Sequence, residues 1–326
     1  MSIGRPVATV DGRSAAEAAV RRVRVDLTVD EAHDAVELLL WPGSSLVAAQ
    51  PGDAITVGLG TGEGDPEDVL HATVVGGDAV PGGALLTAYA PSRLLSFVHV
   101  GRSWRVTTLG QVVRDLLKEG DVDAGDVTAT LSLPTLHVDP RHSVWSTLHD
   151  LARRTGHQVT STPDGKVAFG PVPGGSAGGL GGVGGALAGA AAAFGLGGAG
   201  GELREGAELL AFRAGARPVR STLTRVSPAG PAAAFLLEAA PDDGRSVQVI
   251  DPALRTREAA EAATSAVAAA AARAGRSALI RVPGRPSLRA GGTVRARGQS
   301  YRVLTARHVL DPSRGYVCDL VLEGDA

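Results

Sequence analysis

VPGRPSLRAGGTVRARGQSYRVLTARHVLDPSRGYVCDLVLEG, residues 282–324, carries three strand patterns joined by two short turns. GGTVRAR (291–297), SYRVLTARHVL (300–310) and GYVCDLVLEG (315–324) are rich in Val, Leu and Tyr in the way a half-buried strand requires. The turns lie at Arg297-Gly298-Gln299 and at 311–315, where Gly298 and Gly315 offer the permissive backbone a tight turn needs. Cys318 is the chain's one cysteine, so neither an intrachain disulfide nor a cysteine-based metal site can form. Between Val317 and Leu320 it reads as a small buried hydrophobe of a strand.

The same signal continues upstream. ALIRVPG (278–284), STLTRVS (221–227) and ELLAFRA (208–214) read as strands, and an Ala-rich helix is expected around 256–274. Near the N-terminus five runs follow one another: VRRVRVDLTV (20–29), AVELLLW (35–41), AITVGLG (54–60), VLHATVV (69–75) and GALLTAY (83–89). Gly, Pro and Asp separate them, with Gly52 in the turn Pro51-Gly52-Asp53. Short strands so closely spaced suggest a barrel or sandwich. Between the two β-rich blocks the period changes to helical. Leu109, Val112, Val113, Leu116 and Leu117 share one face, behind a capping box of Thr108 and Gln111, with Gly120 expected to take the left-handed C-terminal position. In DPRHSVWSTLHDLARRTG (139–156) Asp139 is the expected N-cap, Pro140 the first helical residue and Gly156 the stop. Trp145 adjoins the apolar stripe and should cover this block. HQVTSTPDGKVAFGP (157–171) reads as a hairpin turning at Pro163-Asp164-Gly165.

Composition agrees with many short strands: 326 residues suit two or three domains, aromatics are 3%, and there are 44 Gly and 19 Pro. The net charge of -2 gives no reason to expect nucleic acid as a partner. It hides an asymmetry: residues 1–205 carry 15 Lys+Arg against 23 Asp+Glu (-8), and residues 206–326 carry 17 against 11 (+6). Such halves could orient subunits in an assembly. The N-terminus lacks a signal-peptide core, so synthesis in a reducing cytoplasm is expected.

PGDAITVGLG (51–60), the two helices with their hairpin (107–170) and the run 282–324 occur in an order that resembles the phage tail-hub family. That family includes the late control protein D group and the hub part of valine-glycine repeat protein G. The C-terminal run is the most specific: Gly-x-Pro, then Gly-Gly and a strand, Tyr-x-Val, His-x-Leu-Asp, and Gly-Tyr before the last strand. The resemblance implies a β-rich α+β chain with two tail-tube-like β-barrel domains, at 1–105 and 206–326, a small α/β insertion domain at 106–172 and a Gly/Ala-rich linker or loop at 173–205. It further implies a homotrimeric baseplate hub in a phage tail-like contractile injection system. Its expected partners are an inner tube or tube-adaptor protein, a separate spike protein and other baseplate proteins, with no cofactor. The Gly-rich insertion departs from the family pattern.

Chemical sites are weaker readings. His137, His142, His149 and His157 cluster in sequence, but His142 and His149 are two helical turns apart, about 10 Å, too far for one ion; surface and capping roles suit them better. A Gly-x-Ser-x-Gly match around Ser176 opens the Gly tract rather than a nucleophile elbow. Gly58, Gly60, Gly62 and Gly64 lack the Lys-Ser/Thr of a phosphate loop and fit a hairpin tip. His308 is expected to hydrogen-bond turn backbone. The positions that matter are therefore the turn glycines Gly52, Gly165, Gly298 and Gly315. A cell-wall hydrolase, or a membrane-active protein using 174–201, are the rival functions. The first lacks a convergent acid, base or metal set, and the second rests on residues poor in strongly apolar side chains.

Overall fold

The computed structural model describes residues 7–62, 64–173, 202–205, 208–216, 223–228, 246–251, 253–311 and 315–324. The Gly/Ala-rich stretch 174–201, with its Ser176 match, lies outside them. The first block contains β1 (Val7–Val10), β2 (Arg13–Ser14), β3 (Val20–Thr28), β4 (Ala35–Leu40), β5 (Ala54–Gly60), β6 (Glu67–Val80) and β7 (Gly83–Tyr89). Alternation sets their faces: β3 buries Val23, Val25 and Leu27 and leaves Arg24, Asp26 and Thr28 on the other side. The five runs of the sequence become β3 to β7. Gly58 and Gly60 are strand residues of β5 rather than part of a hairpin tip, and a Cβ on Gly58 would stand 2.4 Å from Thr9 Oγ1.

The middle block holds β8 (Arg102–Thr108), α1 (Leu109–Glu119), β9 (Ala124–Val127), β10 (Ser132–Val138), α2 (Val144–Thr155), β11 (His157–Ser161) and β12 (Val167–Pro171). β8 pairs with β10, and β12 lies between antiparallel β11 and parallel β9. Thr108 caps α1 by accepting from Gln111 N, but the Gln111 amide turns to Asp115, so the reciprocal half of the capping box is not made. Gly120 is not left-handed; its φ is -96°, and a Cβ there would stand 2.3 Å from Leu95 Cδ2, so that side chain would have to shift. The N-cap of α2 is Ser143, whose hydroxyl accepts from Ser146 N, and not Asp139. Asp139 instead accepts from the backbone and side chain of Arg141, closing a separate turn ahead of the helix. Gly156 ends α2 at φ 72°.

The last block contains β13 (Glu202–Leu203), β14 (Ala211–Ala216), β15 (Leu223–Pro228), β16 (Ser246–Asp251), α3 (Arg257–Ala274), β17 (Arg276–Pro283), β18 (Thr293–Ala296), β19 (Gln299–Asp311) and β20 (Gly315–Gly324). The two β-rich blocks are not separate sheets. β19 pairs antiparallel with β3, from Thr305 opposite Thr28 to Leu310 opposite Val23, so the sheet runs β14-β17-β20-β19-β3-β4-β7-β6-β5-β1-β2. Among the described residues that ladder is an open path. One apolar cluster backs it from both blocks, including Val25, Leu38, Leu59, Ile280, Val282 and Leu320. A second cluster fills the α/β block with Leu109, Leu116, Leu148 and Phe169. α3 lends it Ala259 and Ala263, because alanine lets helices approach closely; a Cβ on Gly156 of α2 would stand 3.1 Å from Ala266.

Candidate functional site

The α/β block is fastened to the sheet by buried polar contacts, each with one partner from a distant stretch of chain. Arg289, in the loop between β17 and β18, donates to Val69 O of β6 at 2.8 Å and to Ser161 O of β11 at 3.4 Å. One guanidinium thus ties together all three blocks. Arg302 of β19 donates twice to Gln158 Oε1 of β11, at 3.0 and 2.8 Å, and once to Glu323 at 2.6 Å. Gln158 passes its own amide hydrogen to Gly291 O at 3.2 Å. Trp145 of α2 is 5% exposed and donates its indole N–H to Glu31 O, between β3 and β4, at 2.7 Å. The β11–β12 turn closes the contact, with His71 N donating to Pro163 O at 2.9 Å. Burial dominates the electrostatics here. It pushes the carboxyl of Asp34 up to about 7, against the pull of a hydrogen bond from Thr28 N and of the Arg289 charge.

On its opposite face the sheet carries an ionic ladder. Arg281 of β17 makes a two-pronged pair with Asp319 of β20, at 2.6 and 2.8 Å. Arg307 of β19, opposite Asp319 in register, pairs with Asp26 of β3. Asp26 also holds Arg24 at 2.6 Å, and Arg24 reaches Glu37 of β4 at 3.0 Å. Partly exposed pairs of this kind contribute about 0–1 kcal/mol each. What they fix is register, since a one-residue slip would turn every member to the other face. The ladder crosses the β19–β3 seam that unites the two β blocks. Beside it Leu279 and Val321, cross-strand partners, are 50% and 39% exposed.

The four turn glycines lie in four separate turns and form no common site. Gly52 (φ 103°) precedes β5, Gly165 (φ 83°) is the β11–β12 tip against His71 and Pro91, and Gly298 and Gly315 (both φ 72°) flank β19. Arg297 shares the positive φ of Gly298, making the two-residue β18–β19 connection a primed turn. The same device joins β1 to β2 through Asp11 (φ 50°) and Gly12 (φ 73°). That hairpin was legible as Asp-Gly between VATV and Arg13-Ser14, yet those runs are too short to read as strands.

The histidines do not converge. His137 meets Ser103, His157 stacks on Phe169, and His149 packs against Trp145. His149 is buried, not a surface residue, because α2 turns it into the joint. Among the described residues no group of three His, Cys, Asp or Glu could hold a metal ion. His308 sits within β19 rather than at a strand end and is fully buried. Its Nε2 donates to Leu288 O at 2.9 Å, which leaves Nδ1 to accept from the Tyr316 hydroxyl at 2.9 Å. Burial holds this imidazole at about 4, neutral and fully engaged, unlike a poised base.

No family model and no curated protein matches the sequence. Solved structures do. The 43 kDa tail protein of prophage MuSo2 from Shewanella oneidensis is similar at a TM-score of 0.64 and 13% identity, over 98% of this chain and 97% of that one. The tail protein from Neisseria meningitidis MC58 is similar at a TM-score of 0.67 and 12% identity, over 98% and 96%. The fold is that of a phage tail protein. The same tail-protein fold extends to the E. coli c3393 protein, a component of the type VI secretion system with structural similarity to the T4 bacteriophage tail proteins gp27 and gp5. There the TM-score is 0.54 at 10% identity, over 98% of this chain and 75% of that one. The β-rich α+β class expected from the sequence is the class observed. A tail-protein fold survives so little identity because it depends on alternation, turns and register more than on particular side chains.

Proposed function

We propose that the chain is a structural baseplate hub protein of a phage-tail-like contractile injection system. Three copies close into a ring that connects the inner tube to a separate spike protein. The observation that carries this reading is the single sheet joining both β blocks, with the α/β block locked onto it, in a fold shared with tail proteins over 98% of the chain. Two β blocks per copy would offer a ring of three copies six similar surfaces, matching a six-fold tube. In this assignment the β blocks at 1–105 and 206–326 are the two tube-like domains, and 106–172 is the insertion between them. The opposite charge of residues 1–205 (-8) and 206–326 (+6) favours contact between the first half of one copy and the second half of the next. The role is non-enzymatic: the buried imidazole and carboxyl groups described above are used in packing and joints. No helix among the described residues is long and apolar enough to cross a membrane.

Negative-stain imaging of particles bearing a tag on this chain tests the assignment. Label at the tube–spike junction is the expected result. Label along the tube or sheath, or none on particles, would refute it.

A further inference from the structure

Trp145 is enclosed by two imidazoles. His33, from the link between β3 and β4, lies 4.7 Å from the indole, and His149, one turn further along α2, meets it edge-on at 4.5 Å. His33 uses both ring nitrogens, on Ser92 Oγ at 3.2 Å and Ser96 Oγ at 2.7 Å. His149 is 6% exposed, and its Nε2 is buried without a hydrogen-bond partner. Among the described residues no group accepts a proton placed on His149 Nε2, whereas the Ser92 and Ser96 hydroxyls can accept from both nitrogens of a protonated His33.

A proton on His149 thus finds no acceptor, and one on His33 is met by neutral hydroxyls alone, with no counter-charge. Arg93 stands beside His33, Arg153 beside His149, and each imidazole is a like charge for the other. His149 also lines a cleft of about 630 Å³ between α2, α3 and the sheet. Facing that cleft are the Asp30 and Glu31 carboxylates at the β3 end, His157 of β11, and Arg302, Arg273 and Glu323. Glu323 is already shared between Arg302 and Arg273. Asp34, next to His33 in the chain, is turned to Thr28 N. A cation over an indole is attracted to it, but burial wins: it holds His33 and His149 at about 4 rather than raising them.

We propose that the Trp145 joint is an acid-sensitive latch: protonation of His33 and His149 frees α2 from the Glu31 carbonyl and opens this side of the α/β block. The Arg302–Gln158 and Arg289 contacts act as its hinge. The guanidinium donors keep their charge, and the Val69 and Ser161 carbonyls and the Gln158 amide do not titrate, so these bonds take up no proton. Acid reaches the hinge indirectly, through His308, which holds the Arg289 loop and is itself kept at about 4. The inference does not rest on the hub reading. Both histidines have a lowered value in the closed state. Their contribution to closure is therefore complete above 6.5 and is lost as pH falls through about 4. On opening, the two histidines take up two protons and Asp34, raised to about 7 in the closed state, gives one back, so the opening equilibrium changes by up to about tenfold per pH unit in that window.

Hydrogen–deuterium exchange on the full chain, at about pH 7 and about pH 4.5 and corrected for intrinsic rates, reads this opening. The expected result is a loss of protection in α2 and at residues 29–34 that exceeds any loss in β11 and β19, whose buried His157 and His308 also resist a proton. In His149→Phe the proton taken up by His33 is offset by the one Asp34 releases, so the pH dependence nearly vanishes; should that variant not fold, His33→Gln provides the same readout. The latch is overturned if α2 keeps its protection in acid, if β11 and β19 lose as much protection as α2, or if both variants keep the parent's dependence.

Discussion

Tyr316 donates its hydroxyl hydrogen to Nδ1 of His308 at 2.9 Å, inside the core and across the β19–β20 ladder. The ring's other nitrogen holds Leu288 O, so this pair anchors the loop that delivers Arg289 to its three-block junction. His308→Gln keeps at most one of the two hydrogen bonds. It should cost roughly 1–3 kcal/mol, because a buried partner is left unpaired. The imidazole is held at about 4, below its ordinary 6.5, so its stabilisation is complete above 6.5 and is lost as pH falls through about 4. Urea titrations across that range should give a steeper acid loss in the parent than in His308→Gln. Equal slopes would place the ring outside the core.

Asp34 has the opposite sign. Its carboxyl is raised to about 7 from an ordinary 3.8, so stability falls as pH rises from 3.8 to about 7 and stays reduced above that. Asp34→Asn keeps an acceptor for Thr28 N and removes the ionisation. Its melting temperature should exceed the parent's at pH 8 and match it near pH 4. A variant less stable at pH 8 would mean that the carboxylate is needed as the counter-charge of Arg289.

Gly284 and Gly315 constrain the last strands for different reasons. A Cβ at Gly284 would stand 2.0 Å from Cγ of the Tyr316 ring, so Gly284→Ala must displace the ring and its bond to His308. Overpacking of this kind costs about 1–3 kcal/mol. Gly315 has open space but a φ of 72°, so Gly315→Val should cost about 1–2 kcal/mol through backbone strain alone. Near-UV circular dichroism should change in Gly284→Ala, and much less in Gly315→Val. The reverse order would contradict the packing described.

Trp145 tests the joint. Trp145→Ala should destabilise the chain by about 3 kcal/mol, since the ring is almost fully buried. Trp145→Phe keeps most of the packing and loses the bond to Glu31 O, about 1 kcal/mol. An unchanged melting curve in Trp145→Ala would show that the ring is not in the core.

How much of this was legible in the sequence depended on how local the cause is. Val23, Val25 and Leu27 alternate within one strand, and Leu109 to Leu117 repeat within one helix, so both elements could be read directly. Asp139 and Pro140 were expected to open α2; the helix starts later, behind Ser143, where Val144 and Trp145 pack into the block. The β3–β19 pairing joins Asp26 to Arg307, 281 residues apart, and no local pattern announces it. The joint was invisible for the same reason. Arg289, Gln158 and His33 look like surface residues until the blocks that bury them are brought together.

The mass of the purified chain in solution bears most directly on the hub assignment. Light scattering across micromolar concentrations should give a homotrimer of roughly 99 kDa, three times 33.0 kDa. A stable 33.0 kDa monomer over that range would contradict it.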